Sequence, residues 1–236
     1  MQFAINYSPQ AAELLRAGQI AIDYFKCPDW DAMIADARAL KPVNVHFPIS
    51  VGRGQLSKMD WHKVDRFLRE TGTPLVNVHL APMRPDYPTP YDPQQVIDTL
   101  HRELAEVVAR YGADIVIAKN VPHHGDRTDY EHPVLRPAAL PEVIRAVIEE
   151  ANCGFLFDLS HARICADTLS VDWRAYVRSL PLERMRELHV TGMTRLDTGR
   201  LEDHLGFTAA DWEALDWLLD EMRAGRAATP WIVKSP

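Results

Sequence analysis

Val43-Asn44-Val45-His46 and Val76-Asn77-Val78-His79 share one pattern, a short apolar strand that ends on a histidine. Apolar residues that alternate with a period of two are typical of β-strands. Outward from these two runs, similar short segments recur along the chain. The eight predicted strands are Phe3–Asn6, Ile20–Tyr24, Val43–His46, Leu75–His79, Ile115–Ala118, Phe155–Asp158, Glu187–Val190 and Ile232–Val233.

Helical patterns follow several of these strands, and in the clearest of them Val96, Leu100 and Leu104 recur at helical spacing. Strands that alternate with helices predict a parallel sheet, and eight strands close it into a (β/α)₈ TIM barrel. A doubly wound open sheet is the alternative, but no glycine-rich dinucleotide loop follows any predicted strand. No linker divides the sequence, so we predict one domain over residues 1–236. The predicted helices are Asp29–Leu40, Lys58–Glu70, Pro93–Tyr111, Pro141–Ala151 and Ala209–Arg223.

The last predicted strand lies within Trp231-Ile-Val-Lys-Ser-Pro236, at the end of the sequence. The sequence therefore predicts a barrel whose final helix is missing, unless the chain is a truncated form. An uncovered barrel wall exposes apolar surface, which a partner usually covers. We therefore expect a homodimer.

Charge and hydropathy limit the classes of partner. The net charge is −7 and no lysine or arginine cluster is visible, so nucleic acid is not an expected partner. No apolar run approaches the roughly 20 residues of a membrane-spanning helix, so no membrane association is expected. The N-terminal residues lack the pattern of a signal peptide, which predicts a cytoplasmic protein.

Polar residues cluster at the carboxyl ends of the predicted strands, and in a parallel barrel these ends converge on one mouth, where barrel enzymes keep their active sites. Imidazole and carboxylate groups together are ligands for Zn²⁺, Mn²⁺ or Fe²⁺. His123 and His124 follow the fifth strand and are expected to reach over the mouth toward a substrate, whereas His62, His101 and His132 are expected outside the site. The strand-end residues are His46, His79, Lys119, Asn120, Asp158, His161, His189, Glu202, His204 and Lys234.

These strand ends resemble the xylose isomerase-like barrels, which include sugar-phosphate isomerases and epimerases and the endonuclease IV group. The similar motifs are Val-His46-Phe-Pro, Asn-Val-His79-Leu-Ala-Pro, Phe-Asp158-Leu-Ser-His161-Ala, Leu-His189-Val and Glu202-x-His204-Leu-Gly. Longer phrases, such as Phe-Asp-Leu-Ser-His-Ala-Arg-Ile, resemble an uncharacterised branch near the multinuclear non-haem iron oxidative enzymes that modify peptide cysteines. The resemblance implies divalent metal ions at His79, Asp158, His161, His189, Glu202 and His204.

Two lysines depart from that pattern, because the resemblance implies glutamate ligands where this chain has Lys119 and Lys234. An ammonium group has no lone pair for a metal and repels one. We therefore expect fewer metal ions than in the full family site. One candidate ligand set is His161, Glu202 and His204. Another is His79, Asp158 and His189.

The two lysines and His46 are candidate catalytic residues, with Asn120, His123 and His124 as candidate substrate-binding residues. A desolvated lysine can form a Schiff base with a carbonyl substrate. Alternatively, the lysines form ion pairs with Asp158 or Glu202.

Three functions follow from these residues. The first is a metal-dependent isomerase or epimerase acting on a small, sugar-like substrate, in which a metal polarises a carbonyl or hydroxyl group and a histidine or lysine moves the proton. The second is a metal-depleted barrel that acts through lysine chemistry or serves as a non-catalytic binding or assembly protein. The third is an iron-dependent oxidative enzyme.

Overall fold

Parallel β-strands form the centre of the protein in the computed structural model, which describes residues 1–125 and 133–235. Nine strands of the described chain make one sheet, in the order β3-β2-β1-β11-β8-β7-β6-β5-β4, and β9 pairs with β10 in a separate hairpin. The strands are β1 (Gln2–Asn6), β2 (Tyr24–Pro28), β3 (Val43–His46), β4 (Ser50–Val51), β5 (Val76–Leu80), β6 (Val116–Lys119), β7 (Gly154–Asp158), β8 (Met185–His189), β9 (Gly192–Arg195), β10 (Leu201–Leu205) and β11 (Ile232–Ser235).

The sheet curls into a barrel because its two end strands, β3 and β4, belong to one run of chain. β3 pairs with β2, and β4 pairs with β5. Between β3 and β4, the Asn77 side chain accepts from the Phe47 amide and donates to the Phe47 carbonyl, both at 2.8 Å. Asn77 thus supplies the hydrogen bonds that a continuous ladder would make. β3 and β4 therefore occupy one strand position between them, and the nine strands fill eight positions around the barrel. The predicted (β/α)₈ barrel is confirmed and the open-sheet alternative is wrong.

Eight helices surround the sheet within the described ranges. Two of them, α4 and α8, have the bounds that the sequence predicts, and three, α1, α6 and α7, were not predicted. Polar side chains cap several of them, and Asp158 accepts from the His161 amide at the start of α6. The helices are α1 (Pro9–Arg16), α2 (Asp31–Arg38), α3 (Trp61–Thr71), α4 (Pro93–Tyr111), α5 (Pro141–Glu150), α6 (Leu159–Leu169), α7 (Trp173–Ser179) and α8 (Ala209–Arg223).

The second predicted strand is wrong, because residues 20–23 form a loop and β2 begins at Tyr24. Ile22 is buried in the core from this loop, which explains the apolar signal. The Asp23 side chain accepts from the Phe3 amide at 2.7 Å and ties the loop to β1. The true strand therefore includes Lys26, a residue that the predicted bounds exclude.

The barrel interior is layered. Ala4, Leu75, Ile117, Leu156 and Ile232 form an apolar cluster inside the barrel. Successive residues of a strand point to opposite faces, so a residue two positions further points inward again, nearer the mouth. The residues two positions after Ile117, Leu156 and Ile232 are Lys119, Asp158 and Lys234. The apolar cluster therefore lies directly below the polar residues at the mouth of the barrel.

A short antiparallel hairpin, β9–β10, follows β8 and carries Asp203 and His204. Its base is tight, since a Cβ atom at Gly192 would lie 2.0 Å from the Gly206 carbonyl oxygen. His204 takes a left-handed conformation, with φ of 62°. The close approach of Gly192 to Gly206 holds the two ends of this hairpin together.

On the outer wall near β1 and β11, the side chains of Phe3 and Trp231 are 41% and 53% exposed. The expected homodimer would cover them, and it stays a prediction. In the part of the chain that the structure describes, none of the helices has the length and apolar character needed to span a membrane.

Candidate functional site

A cavity of about 700 Å³ opens at the carboxyl ends of the barrel strands. Its wall carries three lysines, and Met33, Val121 and Val134 add apolar surface. The lysines and histidines that line it are Lys26, Lys119, Lys234, His46, His79, His124, His161, His189 and His204. The structure therefore brings most of the predicted strand-end residues to one place.

Glu187 links Lys26 to His189 at the bottom of the site. Its carboxylate forms an ion pair with the Lys26 ammonium and lies 2.6 Å from Nε2 of His189. All three residues are at least 97% buried. Sequence reasoning missed Lys26 because the strand was misplaced. It also missed Glu187, although its position two residues before His189 puts both on the inward face.

Lys119 and Asp158 form a second buried ion pair, with 3.1 Å between Nζ and Oδ2. This is the ion-pair alternative expected for Lys119. Asn120 has a structural role beside it, since its side chain donates to the Asp158 carbonyl at 2.9 Å and accepts from the Asp158 amide at 2.8 Å. Asn120 therefore fixes the ends of β6 and β7 relative to each other.

Lys234 is 4% exposed and lines the cavity, and it has no ion pair with any residue in ranges 1–125 and 133–235. The ion pair expected between a lysine and Glu202 does not form in those ranges. Glu202 instead pairs with Arg200 on the hairpin. Lys234 is thus the buried ammonium whose charge no carboxylate of the described chain directly offsets.

His46 and His79 hydrogen-bond to each other, with 3.0 Å between their Nε2 atoms. His79 Nδ1 lies 3.0 Å from the Ile49 carbonyl, which accepts its proton. The Nε2 atom of His79 is therefore the acceptor, and His46 is the donor. This tautomer, assigned from the network, leaves a lone pair on Nδ1 of His46, which is buried and makes no hydrogen bond within the described part of the chain.

Burial makes the three deep histidines neutral at pH 7. It lowers the pKa of His79 to about 3 and, with repulsion from Lys119 and Lys26, lowers the pKa of His189 to about 4. The pKa of His46 falls well below its usual value for the same reason. Burial alone would raise the pKa of Glu187, but the opposing effects of Lys26 and His189 hold it at about 2. We call these residues the deep site, in which charged lysines and carboxylates surround neutral imidazoles. The deep site consists of Lys26, His46, His79, Lys119, Asp158, Glu187, His189 and Lys234.

His161, Asp203 and His204 form a second cluster, whose potential ligand atoms all lie within 4.8 Å of one another. Nδ1 of His161 lies 2.9 Å from the Asn120 carbonyl, which accepts its proton and leaves Nε2 with a lone pair. That Nε2 atom lies 2.9 Å from Oδ2 of Asp203 and 3.5 Å from Oδ2 of Asp158. Lone pairs thus converge there, and only a cation or a proton on the ring relieves their repulsion.

A metal fits this second cluster and does not fit the deep site. At the hairpin, imidazole and carboxylate supply suitable donors, and the Asn120 carbonyl accepts from Nδ1 of His161 and so orients the Nε2 atom toward the cluster. In the deep site, Lys119 occupies the neighbourhood of Asp158, and Glu187 accepts from His189. The predicted set of His79, Asp158 and His189 therefore has lysine ammonium groups beside it, and these would repel a metal ion. In the other set, the structure places Asp203 rather than Glu202 beside His161.

The other predicted histidines lie at different depths. His124 lines the cavity, and burial lowers its pKa to about 4. His123 is buried, with Nδ1 2.7 Å from the Val134 carbonyl, and is not among the lining residues. His62 is exposed and His101 pairs with Glu150, both outside the cavity lining. His132 lies outside the described residues.

Comparison with solved structures supports the fold. A D-tagatose 3-epimerase-like protein superposes with a TM-score of 0.59 and 14% identity, covering 100% of this chain and 90% of that one. A D-psicose 3-epimerase crystallised with D-fructose superposes with a TM-score of 0.58 and 13% identity, covering 100% and 85%. The predicted xylose isomerase-like barrel is confirmed. At this level of identity the likeness concerns the fold alone.

Comparison of sequences gives the family. A UPF0276 protein of Pseudomonas aeruginosa is 34% identical over 83 residues, which are 34% of this chain and 29% of that protein. A UPF0276 protein of Paraburkholderia phytofirmans is 39% identical over 51 residues, 22% of this chain and 17% of that protein. These matches span less than a third of the curated relatives' length. The profile of the RiPP precursor modification enzymes MbnB/TglH/ChrH, however, matches residues 24–223, and the chain therefore belongs to that family.

Proposed function

We propose that this protein is an enzyme that binds one divalent metal ion at His161, Asp203 and His204 and modifies a peptide substrate at the barrel mouth. The observation that carries the proposal is the 2.9 Å approach of His161 Nε2 to Asp203 Oδ2, in a cluster with His204 whose potential ligand atoms all lie within 4.8 Å of one another. Family membership supports a peptide as the substrate. A bound metal would supply a Lewis acid or, if it is iron, a redox centre.

The deep residues would act on the substrate from below the metal. Glu187 accepts the Nε2 proton of His189, so the Nδ1 lone pair of His189, which accepts no hydrogen bond from residues 1–125 and 133–235, can accept a proton. His46 offers a second unused Nδ1 lone pair. Both rings line the cavity and are neutral at pH 7, which is the state that a general base requires. Lys119 holds Asp158 in its ionised form and so keeps this carboxylate turned toward β6.

Metal analysis of the purified, untagged protein tests the proposal. After anaerobic preparation, plasma mass spectrometry should find about one equivalent of Fe, Zn or Mn. Asp203→Asn and His204→Ala should each lose that metal, while Glu202→Gln, one residue away on the same hairpin, should retain it. His204 is 56% exposed, so its replacement should leave thermal unfolding nearly unchanged.

The outcomes separate the alternatives. Iron would favour oxidative chemistry, and Zn or Mn would favour the isomerase or epimerase reaction on a sugar-like substrate, which stays an alternative prediction. A protein that remains metal-free after reconstitution with all three metals would overturn the proposal. Lysine chemistry or a non-catalytic binding role would then be the better hypothesis.

A further inference from the structure

Three lysine ammonium groups face the deep cavity together with two carboxylates. Lys26 pairs with Glu187, and Lys119 pairs with Asp158. Lys234 interacts electrostatically with all four of these residues but forms an ion pair with none of them. The deep histidines are neutral, so the set carries one positive charge in excess.

Burying an ammonium group away from both water and a carboxylate costs free energy, and an anion beside it recovers that cost. Lys234 is held at this depth by β11, whose backbone pairs with β8 and β1 on either side. Burial and repulsion from Lys119 lower its pKa to about 8, so most of the lysine is charged at pH 7. The side chain lines the cavity and is thus accessible to a ligand from the mouth.

We propose that Lys234 binds a carboxylate group of the substrate in the deep cavity. One excess positive charge matches a monoanion, and a phosphate dianion would leave the site negative. The cavity lining also includes Asn6, on the strand that pairs with β11, together with Tyr7 and Ser50, and their amide and hydroxyl groups suit a carboxylate's remaining lone pairs. The inference deepens the proposed function, on which it rests for taking the ligand to be the substrate.

Binding of a matched pair of small probes tests this assignment. N-acetylglycine carries a carboxylate, and N-acetylglycinamide has the same size without the charge. Ligand-observed NMR on the 236-residue chain should show binding of the carboxylate probe only. Lys234→Met, which removes the charge and keeps the length of the side chain, should weaken that binding about tenfold or more. Lys58→Met, an exposed lysine outside the cavity lining, is the control and should bind like wild type.

Two further arms keep this test separate from the metal proposal. If a metal at the hairpin captured the carboxylate, His204→Ala would abolish binding and Lys234→Met would not, and that result would overturn the role of Lys234. Binding that persists in His204→Ala and fails in Lys234→Met supports it, whatever the metal content. Equal binding of the two probes, or tighter binding of inorganic phosphate than of N-acetylglycine, would also overturn the inference.

Discussion

The Nζ atom of Lys119 lies 3.1 Å from Oδ2 of Asp158, where β6 and β7 end side by side. The resemblance to xylose isomerase-like barrels implies a glutamate in place of this lysine, which would join Asp158 in binding a metal. Here the lysine charge takes the position of the cation, and Asp158 stays ionised without one. Burial alone would raise the pKa of Asp158, but His161 and Lys119 hold it well below its usual value.

Lys119→Glu should convert this ion pair into a divalent-metal site. The change replaces a cation beside Asp158 with a second carboxylate, so two buried negative charges would repel each other until a metal joins them. We expect a lower melting temperature in EDTA, recovery in Zn²⁺ or Mn²⁺, and metal affinity about tenfold or more above wild type. Thermal unfolding with and without metal measures both effects.

Lys119→Gln is the matched control, since it removes the cation but adds no carboxylate. It should not gain metal affinity comparable to that of Lys119→Glu. If the two variants bound metal equally, the carboxylate at position 119 would have no role as a ligand.

His189→Ala should destabilise the fold. The ring is 2% exposed and donates to Glu187 at 2.6 Å, so alanine leaves a cavity and removes one partner of a buried carboxylate. We expect a loss of about 2–4 kcal/mol in the free energy of unfolding. Urea denaturation measures this loss, with His62→Ala at an exposed site as the control.

The metal content of the same variant separates the two candidate ligand sets. His189 lies outside the hairpin cluster, so His189→Ala should retain the metal bound by His161, Asp203 and His204. Loss of metal from a folded His189→Ala protein would instead favour the deep set with His79 and Asp158.

The barrel could be predicted from the sequence because two simple signals agree. Strands such as Phe155–Asp158 are short, apolar and followed by helical patterns, and parallel strands place their carboxyl ends together. The convergence of Lys119, Asp158 and His189 follows from that topology. The closing of β3 onto β5 by the Asn77 side chain carries no comparable sequence signal, because any polar residue at that position would look alike.

Other parts of the site depend on contacts that local sequence does not encode. Lys26 was missed because Ile22 gives the preceding loop an apolar pattern, which shifted the strand by several residues. Asp203 carries no signal that distinguishes it from Glu202, because which hairpin carboxylate lies beside His161 depends on the tertiary fold of the hairpin, including the close approach of Gly192 to Gly206. Both omissions come from tertiary packing that a local pattern does not encode.

Stability should fall as the pH drops from about 6.5 toward 4, because the unfolded chain binds protons that the folded protein excludes. Burial lowers the pKa of His79 to about 3 and that of His189 to about 4, from the ordinary value of 6.5. A lowered pKa gives stability that is complete above the unfolded value and is lost as the pH falls toward the folded value. Each ring should contribute about 1 kcal/mol per pH unit in this window.

Urea titrations in EDTA between pH 4.5 and 7 measure this slope. His79→Leu removes one of the four described rings whose pKa burial lowers most, the others being His46, His124 and His189, and should reduce the slope by about a quarter. A free energy of unfolding that stays constant across the window in the wild type would mean that these rings take up protons in the folded protein.

The buried pair of Lys26 and Glu187 should show strong coupling in a double-mutant cycle. Each side chain is almost fully buried, at 3% and 2% exposed, so removing either partner leaves the other charge without direct compensation. We expect Lys26→Met and Glu187→Gln each to cost about 3–5 kcal/mol in the free energy of unfolding.

The double variant should cost less than the sum of the two, since no unpaired charge remains and the glutamine oxygen can still accept from His189. Urea denaturation of the four proteins at pH 7 gives the coupling free energy, which we expect to be about 2 kcal/mol or more. Additive costs would show that Glu187 is held by His189 alone and that Lys26 is neutralised by another group in the cavity.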